Sequence, residues 1–283
     1  MWTFDEFKKE IVDKIKKRLG AEYRISPNTL SKINQGKKEG IQILKVNHTM
    51  SVQIYLEPFY LEYCQTENAD AIVEDIIEEY QGCMEKNQKI SIENPKKKIT
   101  YRLINYQMNQ GMLSKVPYLR CEDLAMVFYV VLESDQEEVK SFLLDYSLMG
   151  QWGMEEEEVL ECAIVNTPQI FPAKIEALVQ DLEKGNDAEP AFVFTNEQRI
   201  YGTGIIFYEH VLQDFAEKYG WNLFLLPVSV HEFLVMFDKE GVSAEGLHEM
   251  LCVANQTVVS KKDFLSDNIY YYDKDRKDFY AIY

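Results

Sequence analysis

The chain has 283 residues, of which 46% are hydrophobic and 13% aromatic, with only 8 prolines. This composition excludes wholesale disorder, and the length provides a sizeable core for one large domain or two modest ones. The formal net charge of −17 repels the phosphates of nucleic acids and anionic membranes, so we expect neither as a direct partner.

Most of the negative charge lies in two stretches. Residues 67–80 contain six acids and no base, and residues 133–161 contain ten acids and one lysine. Such runs are typical of solvated helix faces. The alternative is an acidic decoy that mimics nucleic acid and captures a basic protein, which requires both runs to form one surface.

The sequence indicates a cytoplasmic protein. No apolar run approaches the roughly 18 residues of a membrane helix, and the N-terminus lacks the pattern of a signal peptide. The five cysteines are scattered and never follow CxxC spacing, so the usual signature of a zinc or redox site is missing. We therefore expect a reducing compartment, no metal and no cofactor.

The first ninety residues predict a helix, a hairpin and a second helix. Thr3 and Glu6 form a capping box, and Gly20 is placed to end the first helix. Residues 41–47 and 51–57 are β-rich and predict a hairpin, with His48 as a solvated residue at its turn. Apolar residues recur at helical spacing across 69–80.

The middle of the chain predicts two strands and two helices. A strand is expected at 99–104, and the apolar segment 124–132 predicts a buried central strand. Four acids at 155–158 are typical of a helix's first turn, and this helix is expected to end at Thr167-Pro168. A further helix is predicted from Pro172 to Gly185.

The segment Lys184–Pro190 is the linker candidate. Beyond it we expect strands at 191–195, 222–226, 231–237, 268–273 and 278–282, with helices around 208–219 and 244–254. Short loops favour an α+β fold of antiparallel or mixed sheets with packed helices. The chain then has two lobes, 1–185 and 190–283, or one continuous domain.

The segment Leu225–Phe237 is the first candidate for a site, because polar groups interrupt a strongly apolar run. His231-Glu232 begins like a zinc-protease motif, but Val235 stands where the second histidine is needed. Ser229 and His231 share a face if both lie on one strand, and with Glu232 they are candidate catalytic residues of a hydrolase. The alternative is that they hydrogen-bond nearby groups.

Four weaker signals have ordinary structural explanations. Asp273–Asp278 resembles a calcium loop but lacks its glycine and its final glutamate, so we expect a polar turn. Gly202-Thr-Gly204 lacks the remaining residues of a phosphate loop. The tyrosines at 270–272 are typical of cross-strand pairs, and His210 and His248 are expected on helix surfaces.

Several segments together resemble an uncharacterised bacterial family, DUF5688, seen mostly in gut Firmicutes. The resemblance spans about 40–273 and rests on the following segments: Ile54–Glu57 with Tyr60, Glu122–Ala125, Asn166–Pro168 with Phe171-Pro172, Thr195-Asn196, Leu226–Glu232, Asn255–Thr257 and Leu265–Asp267 with Tyr270–Tyr272. The family's proline segment has Leu-Pro-Ser-Ser-x-His-Glu, and Val228 replaces its first serine here. The resemblance implies a cytoplasmic protein and assigns no activity or functional residue.

Among the polar side chains of these segments, Thr195, Asn196 and Asn255 are our candidates for ligand contacts. The leading hypothesis is a non-catalytic binding or regulatory protein whose partner is a protein or a small molecule. A groove near 226–232 or the acidic faces would form its binding surface. The hydrolase and the acidic decoy are the alternatives.

Overall fold

The computed structural model describes residues 1–34, 36–46, 51–88, 94–134, 139–178 and 190–283. They form two compact units, an N-terminal unit (Met1–Glu93) and a C-terminal unit (Asn94–Tyr283). Both combine helices with antiparallel sheets, which confirms the predicted α+β class. No helix in these ranges is both long and apolar enough to cross a bilayer.

The N-terminal unit packs helices against one three-stranded sheet. Its elements are α1 (Phe4–Leu19), β1 (Tyr23–Lys32), β2 (Gly36–Lys45), β3 (Ser51–Tyr55), α2 (Glu57–Thr66) and α3 (Ala69–Gln88). The strands pair in the order β1-β2-β3, and the antiparallel pairing of β2 with β3 confirms the predicted hairpin. Its turn, with His48, lies outside the described residues.

The sequence signals that begin and end α1 are all present. Thr3 and Glu6 form the predicted capping box, in which the Glu6 carboxylate accepts from the Thr3 main-chain N–H at 2.8 Å. Gly20 ends the helix with φ of 81°, a conformation that a residue with a Cβ rarely adopts. One apolar face of α1, including Phe7 and Ile11, is fully buried in the core of this unit.

The acidic face of α3 is partly neutralised from within the chain. Lys14 lies 2.7 Å from Asp70, and Arg18 lies 2.9 Å from Glu74. The basic residues near the end of α1 therefore face the acids of the 67–80 run. Each exposed pair contributes little stability, but together they reduce the charge that this run presents to a partner.

The C-terminal unit contains two sheets. Its elements are β4 (Ile99–Asn105), α4 (Gln110–Leu113), β5 (Tyr118–Cys121), β6 (Leu124–Ser134), β7 (Val139–Leu143), α5 (Tyr146–Gln151), α6 (Glu156–Ile170), β8 (Ala173–Ala177), β9 (Ala191–Asn196), α7 (Val211–Tyr219), β10 (Leu223–Ser229), β11 (Glu232–Phe237), α8 (Ala244–Thr257), β12 (Tyr270–Asp273) and β13 (Asp278–Ala281). A 3₁₀ segment, Gly202–Phe207, follows β9.

The smaller sheet is built around β6, which pairs with β4 on one side and with β5 and β7 on the other. Residues 124–131 of β6 are buried, as the predicted central strand requires. The larger sheet has the order β13-β12-β10-β11-β9-β8. Both sheets are antiparallel throughout.

The predicted helix at 172–185 is wrong, because its first residues form β8 at the edge of the larger sheet. Lys174 and Glu176 alternate with Ala173, Ile175 and Ala177, and this period of two belongs to a strand. Residues 179–189 lie outside the described residues. Because β8 and β9 pair on either side of this segment, the expected linker connects two strands of one sheet.

The Asn166-Thr167-Pro168 motif caps the outer edge of β4. The Thr167 hydroxyl accepts from the main-chain N–H of Tyr101 at 3.0 Å and donates to the Ala163 carbonyl at 2.6 Å. The Asn166 amide donates to the Ile99 carbonyl at 3.0 Å. Helix α6 thus satisfies polar main-chain groups of an edge strand. The helix continues past Pro168 to Ile170, two residues beyond the predicted end.

We predict that Thr167→Val destabilises the protein by about 1–3 kcal/mol, because it leaves the buried N–H of Tyr101 without an acceptor. Thr167→Ser keeps the hydroxyl and is the matched control. Equilibrium urea unfolding of the three proteins measures the difference. Equal stability of the valine and serine variants would show that this hydrogen bond does not hold the edge of β4.

Candidate functional site

The turn between β10 and β11 carries the polar residues that interrupt the apolar run. Ser229 is the last residue of β10, and Val230 and His231 form the turn. Ser229 and His231 therefore do not lie on one strand, whereas the hydrolase hypothesis placed both side chains on the same face of a strand. The pairing register shifts between Pro227 and Ser229, which marks a bulge just before the turn.

Every main-chain polar group of Val230 has a partner. Its N–H donates to the Asp263 carbonyl at 2.8 Å, and its carbonyl accepts from the Thr203 hydroxyl at 3.0 Å. Val230 is almost fully buried, so a missing partner would cost stability. These bonds join the turn to the 3₁₀ segment and to the loop that follows α8.

The main chain of His231 is satisfied in the same way. Its N–H donates to the Ser229 hydroxyl oxygen at 3.0 Å, and its carbonyl accepts from the Thr195 hydroxyl at 2.9 Å. Two of the candidate residues, Ser229 and Thr195, thus hold the turn from its two sides. Both hydroxyl groups are therefore engaged in hydrogen bonds to the main chain of the turn.

Both nitrogens of the His231 imidazole face partners. Nδ1 accepts from the main-chain N–H of Tyr201 at 3.1 Å. Nε2 lies 3.4 Å from Oδ1 of Asp263, whose Oδ2 accepts from the Ser260 hydroxyl at 2.6 Å. Because Nδ1 is an acceptor, we assign the tautomer with hydrogen on Nε2, directed at Asp263.

Glu232, the third catalytic candidate, is separate from this network. It begins β11 opposite Ser229 and is partly buried. Within the described residues, its carboxylate forms no hydrogen bond or ion pair with the imidazole of His231. The three catalytic candidates are adjacent in space, but they do not form a relay.

The glycines of the 3₁₀ segment are required by close packing. A Cβ on Gly202 would lie 2.3 Å from Oγ1 of Thr195 and 2.5 Å from the His231 carbonyl oxygen. A Cβ on Gly204 would lie 2.9 Å from the ring of Tyr101, whose hydroxyl donates to the Gly204 carbonyl at 3.0 Å. This explains the Gly-x-Gly pair without a phosphate.

Tyr201, immediately before this segment, covers a buried arginine. Its main chain has φ of 51°, and its N–H is the one held by His231. The guanidinium carbon of Arg102 lies 4.1 Å from the ring centroid of Tyr201 and 4.0 Å from that of Tyr129. The guanidinium is thus held between two aromatic rings, an arrangement favoured by cation–π attraction.

Arg102 is only 6% exposed. Its Nη2 donates to the Ser141 hydroxyl at 2.6 Å. Within the described residues no carboxylate pairs with it. Burial lowers the pKa of Arg102, while Tyr129 and Tyr201 oppose that shift, and the group stays protonated.

Arg102 is not among the site residues predicted from the sequence. The available signal was a cation in the middle of a predicted strand, Ile99–Ile104, whose neighbours are mostly apolar. Arg102, Tyr129 and Ser141 project from one face of the smaller sheet, because Arg102 pairs with Val127 while Ser141 pairs with Val131. The pairing register, which the sequence does not show, brings them together.

A second polar cluster joins three segments of the family resemblance. The carboxylate of Asp123 accepts from the hydroxyls of Tyr270 at 2.5 Å and of Ser266 at 2.6 Å. Burial and the Asp123 carboxylate raise the pKa of Tyr270, so its hydroxyl stays neutral and donates. These residues lie more than 140 positions apart in the chain, and the cluster fixes the loop before β12.

The remaining ligand candidates also bond within the chain. The Asn196 side chain donates to the Ile200 carbonyl at 2.8 Å and accepts from its N–H at 3.2 Å, which shapes the loop leading to Tyr201. The Asn255 amide donates to the Ser266 carbonyl at 2.9 Å and to Asp267 at 2.8 Å. A ligand role for these side chains stays a prediction.

The other two histidines of the C-terminal unit have local partners. His210 is exposed and lies 3.2 Å from Glu209, and His248 stacks on Tyr283. The described residues contain no group of three or more His, Cys, Asp or Glu side chains placed to hold a metal ion.

Two open pockets lie elsewhere on the C-terminal unit. One has a volume of about 510 Å³ and lies beside β8, next to Glu176 and Arg199, which form an ion pair. The other, of about 220 Å³, is lined by aromatic side chains, including Tyr272 and Phe279. Neither pocket is lined by Ser229, His231 or Glu232.

The chain belongs to DUF5688, a family of unknown function, whose sequence profile matches residues 4–274. This confirms the family that the resemblance indicated and extends it to α1. No curated protein and no solved structure matches the chain at a significant level.

We predict that Gly202→Ala destabilises the protein by about 3 kcal/mol or more, because the new methyl group would overlap Thr195 and the His231 carbonyl. The matched control is Gly111→Ala in α4, where a Cβ meets nothing within 4 Å. That variant should be about as stable as the wild type or up to about 1 kcal/mol more stable. Thermal or urea unfolding measures both, and equal effects would refute the packing role of Gly202.

Proposed function

We propose that the protein is a non-catalytic binding or regulatory protein whose ligand docks beside the β10–β11 turn. The observation that carries the proposal is the environment of His231. A serine hydrolase needs one imidazole nitrogen to accept the serine proton while the other donates to an acid. Here Nδ1 accepts from Tyr201, and Nε2 faces Asp263, so neither nitrogen is directed at Ser229.

The surroundings of Ser229 support the same proposal. Its oxygen accepts a peptide N–H at 3.0 Å instead of donating to a base, and the residue closes a turn. A nucleophile requires a base within hydrogen-bond reach. The geometry therefore favours a structural role for the Ser-x-His-Glu sequence and a recognition role for the surface that it shapes.

Tyr201 and the His231–Asp263 pair form one accessible part of this surface. The side chains of His231 and Asp263 are 35% and 30% exposed, and Tyr201 is also partly exposed. An aromatic ring beside an imidazole and a carboxylate can supply both stacking and directed hydrogen bonds. A small molecule or a protein segment fits this chemistry.

The acidic runs offer less support for a decoy of nucleic acid. Lys14 and Arg18 pair with the 67–80 run, and Lys96 pairs with Glu158 in the 133–161 run. Residues 135–138 of the second run lie outside the described residues. The net charge of −17 disfavours direct binding of nucleic acid. A cytoplasmic location is part of the proposal.

We predict that the purified protein shows no turnover of a panel of chromogenic esters and peptides above a buffer blank. Ser229→Ala, His231→Gln and Glu232→Gln should give the same result. Ser114→Ala changes an exposed serine far in sequence from Ser229, and it controls for contaminating activity in the purified variants. Activity in the wild type and in Ser114→Ala that Ser229→Ala abolishes would overturn the proposal, whereas equal activity in all variants would indicate a contaminant.

A further inference from the structure

We propose that the guanidinium of Arg102 is the binding site for an oxyanion group, a carboxylate or a phosphate, of a small ligand. The site consists of Arg102 between Tyr129 and Tyr201, with the hydroxyl of Ser141 at its edge. The inference rests on the proposed binding function, because Tyr201 belongs to the surface described there. It adds the chemical class of the ligand.

The two tyrosine rings cover the guanidinium, so we expect a partner to bind at its edge. Ring centroids lie 4.0 and 4.1 Å from its central carbon, one from Tyr129 and one from Tyr201. All five N–H groups of an arginine point outward in the plane between such rings. The hydroxyl of Ser141 takes one of these donors, and the remaining donors match the two oxygens of an oxyanion.

The burial of Arg102 needs a counter-charge. A cation that is 6% exposed loses most of its hydration, and cation–π contacts and neutral hydroxyls return only part of that loss. An apolar side chain would fill the same space between the two rings without this cost. An arginine placed so, with no carboxylate partner in the described residues, is suited to an anion that comes from outside.

Two of the residues around Arg102 reach the surface. Tyr201 and Ser141 are both partly exposed, whereas Tyr129 is buried. Tyr201 is held from behind, by the bond of its N–H to His231 and by the Asn196 bonds to Ile200. These bonds fix the backbone that places the Tyr201 ring over Arg102.

The test uses the full chain with inorganic phosphate or acetate, compared with chloride at the same ionic strength. Melting temperature and isothermal titration calorimetry measure binding to the wild type, Arg102→Met and Arg102→Lys. Arg120→Met is the matched control, because Arg120 also lies over one tyrosine ring, at 4.2 Å from Tyr106, but in an exposed strand.

We expect phosphate or acetate to raise the melting temperature of the wild type and of Arg120→Met more than chloride does. Arg102→Met should lose this response and melt, without added anion, at or above the wild-type temperature. Arg102→Lys should weaken binding by about tenfold or more, because a lysine lacks the planar fork. A response to one anion alone identifies which oxyanion the site prefers.

A wild type that responds to neither anion overturns the inference, and so does an Arg102→Met variant that responds like the wild type. If Arg102→Met does not fold, the anion response of the wild type and the weaker anion binding of Arg102→Lys test the inference. Failure of this site is distinct from failure of the proposed function. If the protein has no hydrolase activity and no anion response, only the Arg102 site is refuted. If it is an active hydrolase that binds phosphate at Arg102, only the non-catalytic proposal is refuted.

Discussion

The hydrogen bond from the Tyr201 main chain to Nδ1 of His231 links the parts of the C-terminal unit that form the candidate site. It connects the turn between β10 and β11 to the segment that follows β9, at 3.1 Å. Because Tyr201 then stacks on Arg102 of the smaller sheet, the same bond relates the turn to both sheets. The polar residues that interrupt the apolar run Leu225–Phe237 thus connect the β10–β11 turn to the segment after β9.

The surrounding hydroxyl groups make this connection rigid. Thr195, Thr203 and Ser229 each satisfy one main-chain group of the turn, so that its polar atoms cost little to bury. Gly202 permits the approach, since any side chain there would overlap Thr195. Within the C-terminal unit, several segments that resemble the family thus meet in space. Thr195 bonds to the turn at His231, and Asp123 bonds to Ser266 and Tyr270.

Local signals in the sequence predicted most of the fold. The capping box at Thr3, the buried run of β6 and the alternating strands near the C-terminus depend on near neighbours, and they are confirmed. Strand β1 was missed because Pro27 and polar residues argue against a central strand, and β1 lies at an edge of its sheet. The segment at β8 carries apolar residues at 175 and 178, and this helical spacing predicts a helix. The alternation of charged and apolar residues over 173–177 is the competing signal, and it is the one that corresponds to the strand.

The candidate site was only partly predictable. His231 and Ser229 are visible in the sequence because they interrupt an apolar run. The partners of His231, which are Tyr201, Asp263 and Thr195, lie between 30 and 36 positions away in the chain. The sequence did not predict Arg102 as a site residue, because a cation in a strand is ordinarily exposed. Its burial follows from pairing register and from a residue 99 positions later in the chain, and neither is visible in a single sequence.

The tautomer of His231 tests the central claim most directly, since the account requires Nδ1 to accept from Tyr201 and Nε2 to carry the hydrogen. Long-range ¹H–¹⁵N spectra of protein labelled at its 4 histidines distinguish the two ring nitrogens, and His231→Gln assigns the signal. We expect an unprotonated Nδ1 and a protonated Nε2 at neutral pH. A His231 ring that carries its hydrogen on Nδ1 would contradict the account, because the bond that holds Tyr201 over Arg102 could then not exist.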